Sequence, residues 1–254
     1  MAHLLLVIAY VVSGKLGLML ALPPGYASPI FPPAGLAIAA ALIGGRKTLP
    51  WIFLGSLILN IWVGYSASHH IDTTGFTAAA AIAAASMLQA AAGGWLLRRM
   101  IGYPASLDNG RDLLRFLLLA PVICLTSASL SVSGLAALGI TDLSSFAVNW
   151  AAWWVGDTLG VVVTLPLVMI AAGEPRALWQ SRTRTVAAPM LLIFAFFVVI
   201  FIKANKWERD DSLMEFHQLS QQAINQIQTK FEWQESLLEQ TEGMLIHDKS
   251  GHVT

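Results

Sequence analysis

From residue 146 to residue 172 the chain is apolar almost throughout and carries a single charged side chain, Asp157. A stretch of that length and character is read as a membrane-spanning helix, because about 20 apolar residues cross a bilayer core. At about 100° per residue, Trp150, Trp153, Asp157, Gly160 and Thr164 fall on one narrow stripe of it. Counted at about 1.5 Å per residue, Asp157 sits near the bilayer midplane. Leaving a carboxylate charged and unpartnered there costs roughly 3 kcal/mol or more. Finding what compensates it is the first question about function.

The rest of the chain repeats the pattern. Of its 254 residues 56% are hydrophobic and 12% charged, about half the charge of a soluble domain. An all-α polytopic membrane protein follows, with the lipid bilayer as its first partner and no nucleic acid expected. The net charge of zero hides a split: the balance is positive up to Ile202 and acidic from Lys203 onward. Such a shift, coinciding with a loss of hydrophobicity, divides the chain into a bundle over residues 1–205 and a polar segment over 206–254. Cys124 is the sole cysteine, so neither an internal disulfide nor a thiolate metal cluster can form.

Seven spans are expected, at 3–21, 30–43, 50–65, 76–97, 113–138, 146–172 and 186–202, or eight if the long fifth is split. Arg46 and Lys47, then Arg98, Arg99, Arg111 and Arg115, then Arg176, Arg182 and Arg184 lie in alternate connections. The intervening connections at 23–29, 66–75 and 139–145 hold no lysine or arginine. The positive-inside rule then puts the N-terminus in the cytoplasm and the C-terminal segment in the periplasm or outside. Beyond Lys203, Leu213, Phe216, Ser220, Ile224, Ile227, Phe231, Gln234, Leu238, Thr241 and Leu245, most of them apolar, follow a spacing of about 3.5 residues. That seam predicts a long extracytoplasmic helix that needs a partner, most simply a second copy.

Away from the span ends, four strongly polar side chains fall within spans: Lys15, Asn60, Gln89 and Asp157. At about 1.5 Å per residue all four reach similar depth. Lys15 is therefore expected to pair with Asp157, with Asn60 and Gln89 adding hydrogen bonds. The group reads either as a ligand pocket, with Trp153 as a stacking wall, or as a buried pair that fixes helix register. The serines of the fifth span line a polar cavity or bond back to their own helix. His69, His70 and Asp72 make a poor metal set, because adjacent histidines chelate badly. No metal, cofactor or catalytic residue is expected; no phosphate loop, nucleophile elbow or nucleotide fingerprint is present.

Two motifs carry a family resemblance. Phe31-Pro32-Pro33-Ala34-Gly35, preceded by Gly14-Lys15-Leu16-Gly17 and followed by Leu49-Pro50-Trp51 and Asn60, resembles the first type of membrane-associated sensor (MASE) domain. Trp153-Trp154-Val155-Gly156-Asp157-Thr158-Leu159-Gly160 with Pro166 looks like that family's late-helix signature. The segment from Leu238 to Thr254 is similar to the opening of a CHASE-type extracellular sensory domain. The resemblance implies a bacterial inner-membrane sensory input module. Its full-length forms end in a histidine kinase or in a cyclase or phosphodiesterase of cyclic-di-GMP, parts that this chain does not contain. It would answer a small molecule or a membrane-protein partner. The competing reading is a solute-binding or transport protein using the same midplane group, against which stand the lack of an internal repeat and the long external helix.

Overall fold

Pro32 and Pro33 open the helix Pro32–Gly44 (α2), and Pro50 stands in the first turn of Leu49–Ser68 (α3). A proline is harmless there, because the first backbone N–H groups of a helix have no intrahelical acceptor. Between these two helices Gly45–Thr48 forms a 3-10 turn, entered through Gly45 at a φ of 66°. The Thr48 hydroxyl closes the turn on the Gly45 carbonyl at 2.8 Å. α3 stops at His69, which adopts left-handed backbone at a φ of 56°. Asp72 then caps Thr73–Met100 (α4), its carboxylate accepting from the Gly75 N–H at 2.8 Å; such caps contribute about 1 kcal/mol.

The computed structural model describes residues 2–19, 28–103, 110–174 and 176–181, with Leu192, Ala195, Val199 and Gln221. Every regular element among them is helical: Ala2–Leu18 (α1), α2, α3, α4, Gly110–Ala137 (α5), Phe146–Ala172 (α6) and the short Arg176–Ser181 (α7). Backbone proximity divides the chain into Met1–Phe201 and Ile202–Thr254. In the second unit only Gln221 is described.

α2 is the central helix, packed against α1, α4 and α6, while α3 packs on α1 and α4 and α5 bridges α4 and α6. Small residues bring the helices close. Gly93 of α4 lies against Ile38 of α2 and Ile123 of α5, and Gly94 against Ala41. Close approach of this kind is how helices associate in lipid, where packing replaces the hydrophobic drive. The outside is correspondingly greasy: Leu5 and Leu16 of α1 and Leu114 and Leu118 of α5 are exposed. Apolar bands of that extent match hydrocarbon and not water.

The expected bundle of seven or eight spans is corrected here. Among the described residues four stretches are long and apolar enough to cross a membrane, Pro32–Ser66, Thr73–Met100, Gly110–Ala137 and Leu143–Ala172, with Ala2–Leu18 a shorter apolar helix. The expected second and third spans are joined by the 3-10 turn, and α2, at 13 residues, measures only about 20 Å, well short of a bilayer core. The expected span 186–202, apart from three positions, and the long helix over 206–254, apart from Gln221, lie outside the described residues.

One end of the bundle gathers its basic side chains. Arg98 at the end of α4 donates to the Leu42 carbonyl at the end of α2. Arg115 near the start of α5 bridges to Asp112 at 3.2 Å. Trp179 of α7 is buried with Leu42, Leu97, Phe116 and Ile170. His3 stacks on Trp51 with ring centroids 5.2 Å apart, tying the start of α1 to the start of α3.

Candidate functional site

Asp157 is positioned by a close crossing of two segments. The chain entering α2 lies directly on α6, and the Phe31 N–H donates to the Gly156 carbonyl at 2.9 Å. A Cβ at Gly156 would overlap the Ser28 carbonyl, and one at Gly160 the Phe31 carbonyl. Only glycine allows backbone this near to a helix. Ser28 holds the entering segment by donating its hydroxyl proton toward Gly17 O at 2.6 Å and Ile30 O at 2.8 Å. The two motifs that stand apart in sequence thus meet at one joint, and Asp157 is one residue from its centre.

The Asp157 side chain is 3% exposed. Its hydrogen-bond partners are Gln89 of α4 and Ser127 of α5. Gln89 uses its amide oxygen to accept the Ser127 N–H at 3.2 Å, so its amide nitrogen remains to donate to the carboxylate. The Ser127 hydroxyl accepts from Trp153 Nε1 at 3.2 Å and keeps its own proton for Asp157. A relay from Trp153 through Ser127 to Asp157 results, with Gln89 bonded to both Ser127 and Asp157; such chains polarise each member.

A second polar group faces it. Asn60 donates to the Ser56 carbonyl at 2.8 Å and to its hydroxyl at 3.3 Å. Ser56 in turn reaches Ser86 at 3.3 Å, and buried Tyr10 hydrogen-bonds both serines. Between the two groups lies a cavity of about 30 Å³ lined by Phe31, Ser56, Asn60, Ser86, Trp153 and Asp157. That is room for about two waters. It presents one carboxylate, an amide and several hydroxyls, a set that solvates a small cation or a polar molecule rich in donors.

Four of the five expected site residues come together: Asn60, Trp153 and Asp157 line the cavity, and Gln89 touches Asp157. Lys15 does not join them. It stands on the outside of the bundle with Nζ 3.3 Å from the centre of the Trp62 ring, a cation–π contact that shelters the charge without a carboxylate. The other two indole N–H groups of this stretch bond to α5: Trp150 donates to Ser129 at 3.1 Å and Trp154 to the Pro121 carbonyl at 2.8 Å. Tyr10, Ser56 and Ser86 were not legible as site residues. Their signal was only that they fall on the depth already marked by Asn60 and Gln89. At the opposite end, Asp72 is engaged as a helix cap and His69 packs edge-on against Tyr65; no group of metal-ligating side chains occurs among the described residues.

No curated protein and no solved structure matches the chain. A family model, MASE1, matches residues 2–205 and so spans both motifs that meet at the Gly156–Gly160 joint. The match ends where the polar segment begins, and lends no support to a CHASE-like continuation. With four-fifths of its length in that match, the chain belongs to the MASE1 family, membrane-embedded sensor domains of signal transduction.

Proposed function

We propose that the bundle is the input module of a bacterial inner-membrane receptor and that it reads its signal at the Asp157 cavity. One observation carries this: a carboxylate at the heart of a lipid-facing bundle has neutral hydrogen-bond donors for partners and a small polar cavity beside it. An ionisable group inside a span is a functional-site candidate by default, and one held by neutral donors beside a cavity is suited to receive a cation or donor-rich ligand. Occupancy would bias two arrangements of the α2–α6 joint in proportion to the ligand's differential affinity for them. The basic end faces the cytoplasm, and residues 206–254 belong to an extracytoplasmic sensory segment that pairs with a second copy. The output, a histidine kinase or an enzyme of cyclic-di-GMP turnover, follows in the full receptor.

The test is Asp157→Asn in the full-length receptor, read by signalling output together with the amount of folded protein in the membrane. Retained insertion with lost output is the expected result. Full output with normal insertion would remove the cavity from the sensing mechanism.

A further inference from the structure

A second cleft, of about 420 Å³, opens at the basic end between the turn after α2 and the last turns of α4. Its size falls within the roughly 300–1,000 Å³ of small-molecule sites. Ala41, Ala91 and Gly94 line it with small side chains, Arg46 and Arg98 bring positive charge, and Trp95 forms its apolar lip. No carboxylate lines it. Arg98 is held in place, donating to the Leu42 carbonyl and standing 5.1 Å from the Tyr103 ring. That contact occupies one of the five N–H donors of a guanidinium. Arg46 is exposed. Trp95 is 60% exposed, with Arg99 stacked over it at 5.5 Å, as an indole at the boundary between head groups and acyl chains is placed.

We propose that this cleft binds the phosphate head group of an anionic phospholipid. Arg46 and Arg98 contact the phosphate, and Trp95 packs on the upper acyl chain. Three features meet that chemistry. Paired guanidinium groups recognise phosphate oxygens, the cleft lies at the end of the spans where head groups sit, and its lip is apolar and faces lipid. A basic pocket between spans is the ordinary form of such recognition.

The full chain is reconstituted in phosphatidylcholine bilayers containing graded fractions of brominated phosphatidylglycerol or brominated phosphatidylcholine. Quenching of Trp95 is isolated as the difference between the unaltered chain and Trp95→Phe. Half-maximal quenching is expected at a several-fold lower fraction of the anionic lipid. Arg46→Gln should weaken that preference about fivefold, the worth of about one surface arginine, whereas Arg176→Gln should leave it unchanged. Filling the cleft with Ala91→Leu should abolish the preference. Equal quenching by the two lipids, or a preference indifferent to Arg46→Gln, overturns the proposal. So does loss of the preference on adding inorganic phosphate at a salt-matched ionic strength, which would make the cleft a site for the free anion.

Discussion

At Asp157 the compensation sought from the sequence is supplied by dipoles. Gln89 and Ser127 hydrogen-bond the carboxylate, and Trp153 reinforces Ser127 from behind. Removing such a donor leaves a buried acceptor short and costs about 1–3 kcal/mol. Gln89→Leu is therefore expected to destabilise the bundle by that amount in a reversible unfolding measurement in detergent or lipid discs. Lys15→Met forfeits only a cation–π contact and should cost about 1 kcal/mol or less. The reverse order would mean that Lys15, and not Gln89, supports Asp157. Residue counting put Asn60, Gln89 and Asp157 at one depth, and the fold brings the three to one place. The same count misassigned Lys15 because it gives height along a helix and not direction around it. The rotation of α1, set by Gly14 and Gly17 packing inward against Leu59 and Pro32, turns Lys15 out toward Trp62.

Among the elements, the crossing of α6 by the segment entering α2 is the joint that everything at the site leans on. Gly160 was visible in the sequence on the Asp157 stripe of α6; the segment it meets was not, since nothing in a single chain says which segments pack together. Gly160→Ala forces a Cβ against the Phe31 carbonyl and is expected to cost about 1–3 kcal/mol, as overpacking does. Gly134→Ala serves as its control. A Cβ there meets only Ala81, at an ordinary 3.6 Å, so the substitution should be neutral or add up to about 1 kcal/mol through helix propensity. Equal effects at the two glycines, measured by thermal unfolding, would dissolve the joint. Ser56 and Ser86 escaped notice for a related reason, and for the fifth-span serines the cavity and the back-bonded reading both stood open. Serines within spans usually bond back to their own helix, and only packing shows that Ser56, Ser86 and Ser127 bond across helices instead.

For the molecule as a whole, composition alone established a membrane bundle, while the number of crossings was misjudged. Hydropathy counted the apolar run 30–43 as a span of its own, whereas α2, at 13 residues, is too short to cross and turns through Gly45–Thr48 into α3. The structure gathers Arg46, Arg98, Arg115 and α7 at one end and leaves the 139–145 connection, with exposed Leu143, at the other. Because Cys124 is fully buried, single introduced cysteines report cleanly on the side they face. The central claim is that the Asp157 cavity lies inside a bundle whose two ends face opposite compartments. It is tested most directly by labelling Leu143→Cys and Lys47→Cys variants in intact cells with a membrane-impermeant thiol reagent. Leu143→Cys is expected to react from outside and Lys47→Cys only after the membrane is opened. Reaction of both from the same side, or in the inverse order, would contradict the account.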